Sequence, residues 1–489
     1  MARTHVLALD LGTSRIKAAV VDESLRVLTS ASASHPTISS EAGMAEQRSE
    51  DWLEGIRASA AAALGSVAPS IDIDAVVLTA QIPTLVAVSA VGNPLGNAVT
   101  WQDSRADDLV ASLLSPLQRR RLYEISGAPI DGRYVIPMHL RRLAREGYSP
   151  AAILSAKDYL FLALTGELVT DPSTASGFGN FDLATGDWSD HLTSQWGVSK
   201  GLLPRVEDPG YHVALSASGA ELLGGVAAGT PVFVGAADSV CAHHFVDAHF
   251  DRPISVIDGS STVILATLSS TRALAREILI TPLVDPSRRG VELDLLATGS
   301  SIAWLANLLD VHPGEVERLA LSHANPTRSD AVFYPYLAGG EQGALWRNDV
   351  SGMITHVSLA TTREDLALAL FEGIAFETVR CIRLLEDIDH FDAVVSLAGS
   401  TSGLLGAAIV GAVVDLPVVA FRQHSPSLLG AALIGVDALG ALDTPLQPLT
   451  PDAVPVLAGD YDGSLADKLS AYLAGAPATM DPLHLEAGS

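Results

Sequence analysis

The sequence predicts an α/β protein of two similar lobes, each a mixed sheet flanked by helices. Three observations lead there. The chain has 489 residues, beyond the roughly 250–300 at which a single hydrophobic core stops growing. Strand-like runs alternate with helical periodicity along most of it. One local pattern also occurs twice, about half a chain apart: a strand ending in Asp, a turn of Gly and hydroxyl residues, and a returning strand.

The first copy is Val6-Leu-Ala-Leu, the turn Asp10-Leu-Gly-Thr-Ser14 and the strand Ile16–Val21. Ser49, followed by Glu50, Asp51 and then Trp52, Leu53 and Ile56, reads as the N-cap of a helix reaching about Leu64. Ala75–Thr79 and Thr84–Val88 are further strands, and Leu109 to about Leu203 reads as mainly helical. The strand Val232–Gly235 runs into Ala-Ala-Asp238. The second copy is Ile254–Ile257, the turn Asp258-Gly-Ser-Ser-Thr262 and the strand Val263–Leu268. The lobe boundary is expected near residue 247, giving lobes 1–247 and 248–489. Leu293–Ala297 and Val394–Leu397 each lead through Gly and hydroxyl residues into an apolar helix, Arg363 to about Leu385 is helical, and the tail beyond Leu442 reads as a surface segment.

Composition excludes several roles. A 48% apolar chain with 18% charged residues can fill two cores. Its formal charge of −26, with no Lys/Arg-rich run long enough to offset it, makes nucleic acid and anionic membrane poor partners. Cys241 and Cys381 form no disulfide framework, and a reducing interior is the simpler reading. The N-terminus meets Asp10 too early for a secretory signal. The uncharged run Ala393–Val414 is broken by Ser396, Gly399, Ser400, Thr401, Ser402 and Gly403, so it reads as strand, turn and buried helix rather than a membrane span.

Candidate chemistry gathers at the turns. Gly12, Thr13 and Ser14 form a turn whose backbone N–H groups and hydroxyls can hold phosphate, with Lys17 in reach of the same anion and Asp10 placed to hold Mg²⁺ through water. An ordinary hairpin turn is the alternative. Gly259, Ser260 and Ser261 repeat the pattern, and Gly299 and Gly399 stand at helix starts, where N–H groups lack intrahelical partners. Asp238, between a strand and a helical run, is either the cap of that helix or a base aimed at a hydroxyl. His243, His244 and His249 beside Cys241 raise a metal site, but their spacing fits no closed zinc set. Trp101-Gln-Asp-Ser-Arg105 offers an apolar face, an acceptor in Asp103 and a donor in Arg105, suited to a sugar, unless Arg105 merely pairs with neighbouring aspartates.

Taken in order, several stretches resemble the FGGY carbohydrate kinases. They are Asp10-Leu-Gly-Thr-Ser14 with Lys17, Trp101–Arg105, Gly235-Ala-Ala-Asp238, Gly259-Ser-Ser261, Tyr334–Glu341 with Trp346, Phe371–Phe376 and Leu428–Ala432. The resemblance covers nearly the whole chain. It implies an actin-like fold of two ribonuclease-H-like lobes, with sugar held mainly by the first, ATP mainly by the second, and lobe closure during catalysis. Asp238 would be the catalytic base. Thr13 and Lys17 would face the nucleotide phosphates, Ser260 would belong to the second phosphate hairpin, and Gly299, Gly399 and Gly403 would approach the nucleotide. Asp10 and Asp238 would flank Mg²⁺. Gln81, Ile82, Trp101, Asp103 and Arg105 would serve the substrate. The expected reaction is transfer from MgATP to a terminal hydroxyl of a small sugar or polyol in the cytoplasm. A pentulose such as xylulose leads, with gluconate or a tetritol as alternatives and an actin-like ATPase or sugar sensor as the competing class. Members of such families often pair, so a homodimer is one expected state.

Departures bear on the substrate. Xylulose kinases carry Gln-Met-His-Gly where this chain has Gln81-Ile-Pro-Thr84, so Pro83 replaces the histidine near the sugar. Met138 stands where a lysine is common. The second hairpin reads Asp-Gly-Ser-Ser instead of Gly-Thr-Ser-Gly, and Ala398-Gly399-Ser400 replaces a Gly triplet. Hydroxyl donors survive both of these last changes.

Overall fold

Alternation along the first strand builds the first layer. In His5–Leu11, Leu7, Leu9 and Leu11 join a core with Trp52, Ile56, Ala60 and Ala63, the apolar stripe of the helix Ser49–Gly65. The opposite face of this strand carries Val6, Ala8 and Asp10. A second helix, Pro426–Ala438, packs against the same strand and against Ala75–Ala80. Gly435 lets it come close: a Cβ there would lie 2.5 Å from Val77 and 3.4 Å from Val6.

The structure is a computed structural model that describes residues 3–68, 71–270, 278–322, 330–347, 349–397, 403–422, 425–442, 445–455, 457 and 461–476. It has two compact units, residues 1–245 with 279–289 and 426–447, and residues 246–278 with 290–425 and 448–489.

The first unit holds a six-stranded sheet in the order His212–Ala214, Pro231–Ala237, Ala75–Ala80, His5–Leu11, Arg15–Asp22, Val27–Ser34. Its register places Asp10 opposite Lys17 in the antiparallel hairpin and opposite Thr79 in the parallel pair, and Ala236 opposite Thr79 from the other side. A smaller four-stranded sheet, containing Glu46–Gln47, Ala98–Thr100, Thr84–Val88 and Ala152–Leu154, carries its own core with Leu85, Trp188 and Trp196.

In the second unit, Pro253–Asp258 and Thr262–Thr267 form an antiparallel hairpin, Ala393–Leu397 pairs parallel on the other side of the first strand, and Val418–Phe421 follows in parallel. Each unit therefore opens with the same strand, hairpin and parallel-strand arrangement, as the repeated sequence pattern predicts. The long helix Arg363–Glu386 begins with a capping box between Thr362 and Asp365.

Two local expectations change, the cap of the first helix and the tail. Ser49 is the first residue of its helix, with Arg48 at the cap position making no side-chain cap bond. The stretch from 109 to 203 is mainly helical as expected, with short strands between the helices, among them Ala152–Leu154, Val169–Thr170 and Phe181–Asp182. Residues 399–402 of the late turn lie outside the described residues, Gly399 among them, whereas Leu405–Gly411 is the helix expected after it.

The tail is not all surface. Helix Tyr461–Gly475 buries Leu465, Leu469 and Tyr472. The Tyr472 and Tyr336 hydroxyls both donate to Oε1 of buried Glu377 at 2.7 Å, and Lys468 donates to Glu372 at 2.9 Å. Spacing of four and then three residues between its apolar side chains is the helical signal, overshadowed in the sequence by prolines and acids around it. Among the described residues, no helix is long and apolar enough to cross a membrane.

Candidate active site

Parallel strands end together, and in open α/β sheets ligands bind beyond those carboxyl ends. In the first unit, Leu11 lies opposite Ala80, and Ala80 opposite Ala237. Asp10, Gln81 and Asp238 therefore share one edge, with Asp10 and Asp238 on strands two apart, roughly 10 Å between backbones. The Gly12–Ser14 turn projects from the same edge.

Asp10 is 2% exposed. Its Oδ2 accepts from the Ser427 hydroxyl at 2.8 Å and lies 3.6 Å from Lys17 Nζ. Among the described residues its Oδ1 is buried without a hydrogen-bond partner, and it would lie 3.9 Å from a Cβ at Gly12. A bare carboxylate oxygen beside a small-residue turn fits Mg²⁺, which is held by one or two carboxylates together with phosphate oxygens. The turn is closed by Gly12 N–H donating to Arg15 O at 3.0 Å.

Around it lies a polar network. Gln47 Nε2 donates to Thr13 O at 2.8 Å, and Gln47 Oε1 accepts from Trp52 Nε1 at 3.1 Å and Gln81 Nε2 at 2.9 Å. Among the described residues Gln81 Oε1 remains a buried acceptor without a partner. Ile82 is half-buried beside it. Trp101 Nε1 donates to Thr13 Oγ1 at 3.1 Å, so the aromatic loop leans on the glycine turn.

Asp103 and Arg105 face each other. Asp103 Oδ2 accepts from Ala45 N and Arg105 Nε at 3.0 and 2.8 Å, while Arg105 also pairs with Glu41 at 2.9 Å and Glu46 at 2.6 Å. Burial pulls the Arg105 pKa down, but hydrogen bonds to Asp103, Glu46 and Glu41 outweigh it and leave it raised. Its fork is thus shared among three carboxylates, and Asp103 ties the loop to Ala45.

Asp238 starts the helix Asp238–Asp247 and is half-buried, with Oδ1 accepting from Ser239 N at 2.9 Å. The preceding strand is bulged, its pairing with Ala75–Ala80 shifting between Phe233 and Ala236. Gly235 makes this possible: its φ is +67°, and a Cβ would sit 1.7 Å from Leu78 O. Cys241 is buried, and burial pushes its thiol up to about 12. Among the described residues no group of three or more His, Cys, Asp or Glu side chains could hold a metal ion, so the histidines near Cys241 form no such site.

In the second unit, Gly259 N–H donates to Ser261 O at 2.8 Å, closing a turn one residue shorter than the first. Ser260 O accepts from Thr298 N at 3.2 Å and Ser300 N at 3.0 Å, so the turn docks on the start of the helix Gly299–Leu309. Thr262 Oγ1 donates to Asp258 at 2.7 Å. A mainly apolar cavity borders this hairpin, lined by Asp258, Thr298, Phe371, Thr378 and Val410. At Gly403, φ is +58°, and Glu317 Oε1 accepts from Leu404 N and Leu405 N at 2.8 and 2.9 Å. An internal carboxylate therefore occupies that helix start.

Sequence reasoning missed Gln47 and Ser427. Nothing local marks either: Gln47 reaches Gln81 34 residues on, and Ser427 reaches Asp10 across 417 residues.

Residues 5–244 match the N-terminal domain, and residues 254–439 the C-terminal domain, of the FGGY family of carbohydrate kinases. The chain is 24% identical over 464 residues to gluconokinase of Bacillus subtilis (strain 168), covering 90% of this chain and 89% of that one. It is 23% identical over 438 residues to xylulose kinase of Staphylococcus xylosus, covering 88% and 90%. With glycerol kinase of Nocardia farcinica (strain IFM 10152) it shares 26% over 464 residues, covering 90% and 91%. Among solved structures, ligand-bound xylulose kinase from Lactobacillus acidophilus superposes with a TM-score of 0.83 at 21% identity, covering 96% of this chain and 97% of that one. Gluconate kinase from the same organism gives 0.84 at 20%, covering 96% and 97%. Plasmodium falciparum glycerol kinase with ADP gives 0.78 at 17%, covering 96% and 98%.

The fold is thus the actin-like ATPase fold, used here by a kinase. The chain belongs to the FGGY family of carbohydrate kinases. It is a phosphotransferase with an alcohol group as acceptor, and ATP is the donor on which the family draws.

Proposed function

We propose that the chain transfers the γ-phosphoryl group of MgATP to a terminal hydroxyl of a small ketose, polyol or sugar acid. A pentulose such as xylulose is the leading substrate, with gluconate or a tetritol as alternatives. The observation that carries this reading is the shared carboxyl edge of the first sheet. It sets Asp238, half-buried at a strand-to-helix junction, beside the bare oxygens of Asp10 and Gln81.

In this reading Asp238 accepts the proton of the attacking hydroxyl and holds its oxygen in line, which is most of what phosphoryl transfer asks of a protein. Gln81 Oε1 accepts from a second substrate hydroxyl, Ile82 and Trp101 supply apolar contact, and Asp103 with Arg105 fixes the Trp101 loop. Gly12, Thr13, Ser14 and Lys17 face the transferring phosphate. Gly259, Ser260, Ser261 and the helix start at Gly299 serve the nucleotide, whereas Glu317 fills the start after Gly403 and Gly399 lies outside the described residues. Asp10 and Asp238 flank the cation, which when bound neutralises charge on the phosphate oxygens. Two buried, free cysteines support a cytoplasmic location.

The test is ADP release over a panel of ketoses, polyols and sugar acids, with wild type and Asp238→Asn. Wild type is expected to turn over with one class of sugar. The variant should lose at least about 100-fold in kcat while binding nucleotide normally. Wild-type turnover by Asp238→Asn refutes the base assignment, and ATP hydrolysis that no sugar stimulates refutes the kinase substrate class.

A further inference from the structure

The strand that delivers Asp238 lacks a continuous neighbour on one side. Facing away from Ala75–Ala80, Pro231–Ala237 pairs with His212–Ala214 only as far as Phe233. Beyond that, Val234 N donates to Tyr211 O at 2.9 Å and Gly235 N to Pro209 O at 3.0 Å. At Ala237, the residue before Asp238, the N–H donates to the hydroxyl oxygen of Ser173 at 2.9 Å. A side chain thus takes the place of a missing strand at the last N–H of the strand, one residue before the base.

That hydroxyl is itself held. Ser173 Oγ donates to Asp171 Oδ2, which also accepts from Ser173 N at 2.9 Å. Asp171 Oδ1 lies 3.0 Å from Lys157 Nζ, which also lies 3.4 Å from Asp158 Oδ1. All four residues are essentially removed from solvent: Lys157 1%, Asp158 0%, Asp171 0%, Ser173 2%. A hydroxyl has one proton to donate, so its commitment to Asp171 turns its lone pair toward Ala237. Burial opposes the Lys157 charge, but Asp171 and Asp158 outweigh it and leave its pKa raised. A buried ammonium, two carboxylates and a serine are costly to assemble; Asp171 also caps the helix Pro172–Ser176 and Asp158 accepts from Ser155 N at 3.0 Å, while the contact through Ser173 leads to Ala237.

We propose that Lys157, Asp171 and Ser173 are positioning residues for the base: their buried relay fixes the Ala237 peptide and so the aim of the Asp238 carboxylate. This rests on the reading of Asp238 as base. Ser173→Ala removes one atom and keeps the charged pair, so the fold is retained, which thermal unfolding checks. Because displacement of a reacting group by about 1 Å costs on the order of 100-fold in rate, kcat is expected to fall by roughly 10- to 100-fold while KM for ATP and for sugar stay within about twofold. Ser173→Thr keeps the hydroxyl and should recover most of the lost kcat.

A fall in kcat smaller than about tenfold, a change in KM that accounts for the loss, or a threonine variant as slow as the alanine one overturns the proposal. Asp238→Asn is assayed alongside. If it is inactive while Ser173→Ala is not slowed, the relay fails and the base stands. If Asp238→Asn itself turns over like wild type, the base reading is what fails.

Discussion

At Asp10 the two carboxylate oxygens have different work. Oδ2 is engaged by Ser427 and approached by Lys17, which leaves Oδ1 to face the glycine turn. The turn itself was legible, because strand, Asp, small residues and returning strand are consecutive in the chain. Its partner was not, since a serine 417 residues away carries no local mark of where it folds. Arg105 shows the other limit: the residue was legible as a donor, but composition cannot tell an open guanidinium from one already shared among Asp103, Glu41 and Glu46. Asp107, two residues on, offers a test at the same scale. Its Oδ1 accepts from Gly132 N at 3.0 Å, yet burial, followed by the nearby Asp131, pushes its pKa up to about 6. A raised carboxylate pKa contributes stability that is complete below the ordinary value of 3.8 and is lost as pH rises through 6. Asp107→Asn, which keeps an acceptor oxygen, should therefore melt above wild type at pH 7.5 and show a smaller gain at pH 4.5. An equal gain at both pH values would assign the effect to something other than this ionisation.

At the scale of elements, the helix that begins with Asp238 is located by its neighbour. Gly430 of helix Pro426–Ala438 lies so close that a Cβ would fall 1.7 Å from Cys241 O. Gly430→Ala must push the two helices apart and is expected to destabilise by roughly 1–3 kcal/mol; on the proposed role of Asp238 as base, kcat is expected to fall as well, since that residue travels with its helix. Gly406, with nothing within 4 Å of a built Cβ, is the matched control, and alanine there should be neutral or mildly stabilising in thermal unfolding. A Gly430→Ala protein with wild-type melting and turnover would contradict this account. The elements themselves were largely readable: Pro231–Ala237 and Arg363–Glu386 fall within a few residues of where pattern placed them. The bulge at Gly235 was not, because it arises from the approach of Leu78, a contact that no local pattern encodes.

At the scale of the molecule, the repeated hairpin made two units legible, but the return of residues 426–447 to the first unit depends on tertiary packing. Helix Pro426–Ala438 buries Leu428, Leu429, Leu433 and Val436. A fragment of residues 1–247 would leave the sheet face beneath it bare. Such a fragment is expected to aggregate or melt without cooperativity, and joining residues 426–447 to it through a flexible linker should raise soluble yield and sharpen the transition. A cooperative, soluble 1–247 fragment would show that the returning helix is dispensable. The last described helix places a similar condition on the second unit, this time in the order of synthesis. Glu377 and Tyr472 are separated by 95 residues, so on a ribosome adding about 5–20 residues per second the acid waits roughly 5–20 s for that phenol donor. During that interval the carboxylate has Tyr336 and Arg380 beside it but lacks its second phenol donor, and the second unit completes its core only after Tyr472 has cleared the exit tunnel.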